Sequence, residues 1–207
     1  MSRTRVGVLI SGRGSNMTSL VRAAEDPAYP AEIACVLSNK PDAAGLDFAR
    51  ERGLDAVAVD HRAFGKDREA HERAIDAVLR KRGIEVICLA GYMRVLTPFL
   101  VSAWAGRMLN IHPSLLPLFP GVHTHERALE AGVKLHGCTV HLVTEGVDEG
   151  PILAQGAVPV LADDTPETLA ARVLAVEHRL YPAALAAYLR PESKAAPDRS
   201  DAALISL

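Results

Sequence analysis

Two polar side chains close an apolar run in "MLNIHPSLLP", Met108 to Pro117. On an extended strand residues two apart point the same way, so Asn110 and His112 share a face. Asparagine is a neutral donor that does not titrate, and histidine gives or takes a proton near neutral pH. Together they suit a reaction that builds an oxyanion and moves a proton, such as acyl transfer. Pro113 cannot donate to a sheet ladder, so pairing stops there and the histidine is left at an edge or cleft. The same pair could also serve as caps or core-satisfying groups. Their place at the carboxyl end of a strand favours a site, because ligands of open α/β sheets bind there.

A carboxylate beside the imidazole would favour imidazolium, which stabilises a developing oxyanion. The turn "TEGVDEGP" offers Glu145, Asp148 and Glu149, and spacing does not choose among them. A second motif, "SGRGSN" from Ser11 to Asn16, follows a strand and precedes a helix. Glycines let the backbone approach a ligand, and free N–H groups at a helix start attract an anion. No Gly-Lys-Ser/Thr is present, and Met17 replaces the third glycine of a dinucleotide fingerprint. A phosphate monoester fits such a loop, and so does a tight turn that binds nothing. No G-x-S-x-G elbow occurs. "HTHE", His123 to Glu126, has no second ligand cluster at a recognisable spacing, so no metal is expected.

The elements that must hold these residues alternate. Short apolar runs at Arg5–Ile10, Glu32–Ser38, "DAVAVD", "EVICLAG" and "RMLNIH" predict strands. Between them lie helical patterns: one from near Asn16 towards Glu25, "AGLDFARERG", Lys66 to Arg82, and one started by Thr97 as N-cap with Pro98 behind it. This grammar predicts an α/β fold with a Rossmann-like, mostly parallel sheet flanked by helices. After Pro120 it changes. Helical "HERALEAG" precedes two strands, "GCTVHLVT" and "PILAQGAVPV", joined by the acidic turn as an antiparallel extension in the C-terminal half. A long helix from Pro166 to Leu189 follows. The expected organisation is one domain over 1–190, with halves 1–105 and 106–190, and a loosely held tail over 191–207.

The chain has 207 residues, 49% hydrophobic and 23% charged, enough to bury a sizeable core. A net charge of -2 gives no global basic field, so nucleic acid is not an expected partner. Cys35, Cys88 and Cys138 are far apart and odd in number, which predicts buried free thiols in a reducing compartment. No stretch is long enough for a signal peptide's core or a membrane span, so a cytoplasmic location without membrane contact is expected.

From about Arg5 to Tyr188 the chain resembles glycinamide ribonucleotide formyltransferase, the folate-dependent enzyme of purine synthesis. The blocks are "VLISGRGSN", "VLSNKPDAAGLDFAR", "LAGYMRVL", "LNIHPSLLP", "PGVHTHERALEAG", "HGCTVHLVTEGVDEGPI" and "RVLAVEHRLYP", in order. The resemblance implies that Gly14, Ser15 and Asn16 bind the substrate phosphate and that Glu177 contacts glycinamide ribonucleotide. It implies Asn110, His112 and Asp148 as the catalytic trio. It implies that Arg68, Met93, Arg94, Val95, Leu96 and Asn110 hold the folate, with Glu145 and Val147 in a loop over its pterin. The implied cosubstrate is 10-formyltetrahydrofolate, without metal, and the implied assembly is a monomer or weak homodimer. Where the family has "LPKYPG" this chain has "LPLFPG", so Leu118 replaces a lysine. Formyltetrahydrofolate deformylase has a similar catalytic half but carries an added N-terminal domain. Methionyl-tRNA formyltransferase shares the Asn-x-His-Pro-Ser run but needs a C-terminal domain and basic surface. A non-catalytic folate- or phosphate-binding module would not require the trio.

Overall fold

The computed structural model describes residues 3–190, and the expected tail at 191–207 lies outside the described residues. Among the described residues seven strands form one sheet, in the order β3-β2-β1-β4-β5-β6-β7. The chain folds as two compact units, one ending at Asn110 and the next starting at Ile111.

The first unit contains β1 (Thr4–Ile10), α1 (Ser15–Ala24), β2 (Ala31–Ser38), α2 (Ala44–Glu51), β3 (Ala56–Ala58), α3 (Arg68–Lys81), β4 (Val86–Leu89), α4 (Pro98–Ala103) and most of β5 (Met108–His112). Neighbouring strands are parallel, with Val6 opposite Val86 and Leu89 opposite Asn110. Parallel strands covered on both faces read as continuous apolar runs, and Val6, Val8, Leu9 and Ile10 are wholly inaccessible. On α3 the buried face carries Ile75 and Leu79 together with His71 and Glu72, while Val78 is only half-buried. That helix begins at Arg68 rather than Lys66 because the Asp67 side chain accepts from the Ala70 N–H and caps it. The third strand shrinks to three residues, and a 3-10 turn, His61–Phe64, follows it unforeseen by periodicity.

Thr97 does not cap α4 through its side chain. Its hydroxyl donates to the carboxylate of Glu72, which also accepts the Thr97 N–H at 2.8 Å. A buried carboxylate needs donors more than a helix end near solvent does, and it takes the hydroxyl.

The second unit holds α5 (Thr124–Glu130), β6 (Leu135–Leu142), β7 (Ile152–Pro159) and α6 (Pro166–Tyr188). Strands β6 and β7 are antiparallel, as the sequence predicts. The first of them starts at Leu135, two residues before "GCTVHLVT", because Leu135 pairs with Pro159. Helix α6 opens on a Thr165–Thr168 capping box and runs on through Pro182. It buries Leu169, Val173, Val176, Leu180 and Leu185. All three cysteines are buried free thiols.

Candidate active site

In the first unit, Ser11 to Asn16 links β1 to α1. Gly14 sits at the N-cap with φ 67°, a left-handed conformation that costs an L-residue about 1–2 kcal/mol. No side chain caps α1. Ser15 is exposed on its first turn and Asn16 is buried. The loop rests on α2: the Gly45 N–H donates to the Gly12 carbonyl at 3.1 Å. A Cβ on Gly45 would lie 2.4 Å from Ile10 Cδ1 and 3.0 Å from the Gly12 and Arg13 carbonyl oxygens. Glycine at 45 is therefore part of the loop's support, although the motif "SGRGSN" does not contain it.

After β4 the segment from Gly91 to Thr97 has no regular structure. Met93 and Val95 are 71% and 61% accessible, a large apolar exposure for residues adjoining a buried strand. Arg94 and Leu96 are half-buried. Arg68 is exposed at the start of α3. Asn110 is half-buried on β5 as the last residue of this unit.

In the second unit His112 is buried at the end of β5. Its Nδ1 lies 3.3 Å from Asp148 Oδ2, and its Nε2 lies 3.0 Å from the Phe119 carbonyl oxygen. Of the three acids that the sequence leaves open, the structure sets Asp148 beside the imidazole. Both ring nitrogens thus face oxygen acceptors. That arrangement is satisfied when both carry hydrogen, or when Asp148 does. Asp148 adopts φ 57°, which Asp tolerates, and its Oδ2 also accepts the Gly121 N–H at 2.8 Å. Phe119 has φ 53°, an unusual conformation for a bulky residue, and it aims its carbonyl at His112. Glu145 and Val147 are exposed on the turn that carries Asp148.

His141, which no motif in the sequence marks, adds a second imidazole beside Asp148. Its Nε2 is 3.7 Å from Asp148 Oδ1, and its Nδ1 donates to the Leu142 carbonyl at 2.9 Å. Burial pushes its pKa below the ordinary value, the nearby Asp148 carboxylate opposing. In "TVHLVT" the ring looks like one more alternating strand residue, so no spacing rule marks it. Glu177 is buried on α6. Burial, and after it the Glu177 charge, pushes the Cys138 thiol up to about 12, so that thiol is no nucleophile at neutral pH. Among the described residues no group of three or more His, Cys, Asp and Glu is placed to hold a metal ion. His125 and His136 meet in a pair, Nδ1 to Nε2 at 3.2 Å.

The family described as "Formyl transferase" matches residues 4–185. The chain belongs to the formyl transferase family. It is 45% identical over 175 residues to the phosphoribosylglycinamide formyltransferase of Escherichia coli (strain K12), covering 84% of this chain and 82% of that protein. It is 49% identical over 183 residues to the human trifunctional purine biosynthetic protein adenosine-3, covering 88% of this chain. The chain spans only 18% of that trifunctional protein's length. Among solved structures, phosphoribosylglycinamide formyltransferase from Brucella melitensis superposes with a TM-score of 0.87 at 58% identity, covering 91% of this chain and 96% of that one. The fold expected from strand and helix alternation is therefore the fold of this family. Among the described residues no helix is long and apolar enough to cross a membrane.

Proposed function

We propose that the chain transfers the formyl group of 10-formyltetrahydrofolate to the amine of glycinamide ribonucleotide, in purine biosynthesis. Membership of the formyl transferase family, with high identity to phosphoribosylglycinamide formyltransferases over most of both chains, supports the reaction. The observation that carries the chemistry is the buried contact of His112 with Asp148.

The neutral amine attacks the formyl carbon. A C–N bond forms and the carbonyl electron pair moves to oxygen. Asn110, through its amide N–H, and His112, as imidazolium beside Asp148, stabilise that oxyanion. The attacking nitrogen then loses a proton, N10 of the folate gains one, and the C–N10 bond breaks to release tetrahydrofolate. Asp148 assists this transfer. An amine is already a good nucleophile, so no covalent enzyme intermediate is needed, and much of the rate gain comes from positioning. His112 Nε2 donates to Phe119, so serving the oxyanion requires that N–H to leave or share the Phe119 carbonyl.

Gly14, Ser15 and Asn16 receive the substrate phosphate, whose charge suits the main-chain N–H groups at the start of α1. Glu177 contacts the glycinamide ribonucleotide. Arg68, Met93, Arg94, Val95, Leu96 and Asn110 hold the folate, and Glu145 and Val147 cover its pterin. The chain acts as one catalytic domain over 1–190, in the cytoplasm, as a monomer or weak homodimer and without metal.

Tetrahydrofolate release from 10-formyltetrahydrofolate, followed by absorbance with and without glycinamide ribonucleotide, tests the reading. Release that depends on the ribonucleotide is expected. Release independent of it would mean hydrolysis, and none in either case would mean a binding module.

A further inference from the structure

The segment Met93–Leu96 has no helix or strand to fix it, yet it must hold a shape if it is to receive a folate. Its start is tied to a single buried hydroxyl. Ser11, 6% accessible, accepts the Met93 N–H through Oγ at 2.8 Å and donates through the same oxygen to Asn39 Oδ1 at 2.6 Å. Asn39 is itself buried at the end of β2, and its carbonyl accepts from His61 Nδ1 at 2.8 Å. The Ser11 main chain adds a second tie, its N–H donating to the Gly91 carbonyl at 3.1 Å. The far end of the segment is held separately, by Glu72 on Thr97. Ser11 is also the first residue of the glycine loop. One hydroxyl thus stands at the root of both the proposed phosphate site and the proposed folate site.

We infer that Ser11 is a positioning residue that couples the two substrate subsites, and that Glu72 positions the folate segment alone. The inference rests on the proposed function for its substrates. Its chemistry is that of a relay. Once Ser11 Oγ is removed, the part-buried Met93 N–H and the buried Asn39 amide oxygen each lose a partner. The loop and the segment must then shift to find others. Glu72→Gln keeps an acceptor for the Thr97 N–H and gains a donor for its hydroxyl, so it weakens only the far anchor.

Two measurements test this. Amide exchange at Met93 needs no substrate, so it reads the tie even if the proposed reaction is wrong. In Ser11→Ala the Met93 amide is expected to exchange at least about tenfold faster than in the unaltered chain. Unchanged exchange would overturn the inference. With both substrates, Ser11→Ala is expected to raise KM for the folate and for glycinamide ribonucleotide by about 3- to 30-fold each, with kcat changed less than either. Glu72→Gln should raise the folate KM only. If Ser11→Ala leaves the ribonucleotide KM unchanged, or lowers kcat alone, the coupling role falls. Should Ser11→Ala misfold, Ser11→Cys provides the same readings, with a smaller effect. An unaltered chain that does not turn over the ribonucleotide would sink the proposed function, while the exchange result still decides whether Ser11 holds Met93.

Discussion

Ser11 to Asn16 in the first unit turns on a left-handed glycine and presents main-chain N–H groups ahead of α1. The His112 corner of the second unit is instead a cluster of ionisable side chains. Asp148 lies 3.3 Å from His112 and 3.7 Å from His141, and the side chains are 11%, 6% and 3% accessible respectively. Main-chain dipoles do not titrate and need no counter-ion, so they hold an anion equally at any working pH. Ionisable groups in a dry setting can change protonation during a reaction, and each neighbour alters the others strongly. In the proposed reaction the two regions divide binding from chemistry, and substitutions in them should separate kinetically.

The largest effect belongs to the histidine. His112→Ala should lower kcat by at least about a thousandfold, through loss of the oxyanion partner, while steady-state or equilibrium binding of the folate changes little. An unchanged kcat would remove His112 from the mechanism. Next comes its partner. Asp148→Asn keeps an acceptor for the Gly121 N–H but removes the charge beside the imidazole, and kcat should fall about 30- to 300-fold. A fall no larger than a few-fold would make Asp148 a loop anchor only.

The glycine loop should respond in the other parameter. Gly14→Ala forces a Cβ into a backbone at φ 67°, 3.1 Å from Met17 Cε and 3.2 Å from Ile10 Cγ2. The strain of about 1–2 kcal/mol should appear as a roughly 5- to 30-fold higher KM for glycinamide ribonucleotide, with kcat within a few-fold. A kcat loss matching that of His112→Ala would break the division of roles.

The smallest effect is on stability. Burial, and after it repulsion from His125, holds His136 down at about 4, against an ordinary value of 6.5. Above pH 6.5 neither state binds the proton. Below it the unfolded chain takes up a proton that the folded ring refuses until about pH 4, so stability falls across that window and levels off beneath it. His136→Gln should flatten part of this slope in urea denaturation measured from pH 7 to pH 4. An unchanged slope would assign the loss to other groups.

Much of the frame was legible from residue order. The parallel strands announce themselves because burial on both faces forces unbroken apolar runs, and the Asn110–His112 spacing follows from the two-residue period of a strand. Boundaries were less legible where tertiary partners decide them. Leu135 joins β6 because Pro159 lies opposite, and Thr97 forsakes its cap for Glu72. The choice of Asp148 over Glu145 and Glu149 depends on a turn with φ 57° that no local pattern encodes. His141, Gly45 and the Ser11–Asn39–Met93 chain escaped for the same reason: each acts through a residue remote in sequence. His141 meets Asp148 across a turn, Gly45 supports Gly12, and Ser11 is 82 positions from Met93. The resemblance to a known family assigned roles that spacing alone left open.

The division of binding from chemistry is tested most directly by a single-turnover experiment with both substrates saturating, comparing the unaltered chain, Gly14→Ala and His112→Ala. The rate of formyl transfer should be nearly unchanged in Gly14→Ala once the ribonucleotide is saturating, and should fall at least about a thousandfold in His112→Ala. A normal transfer rate in His112→Ala would contradict the account, as would a Gly14→Ala rate that no concentration of ribonucleotide restores.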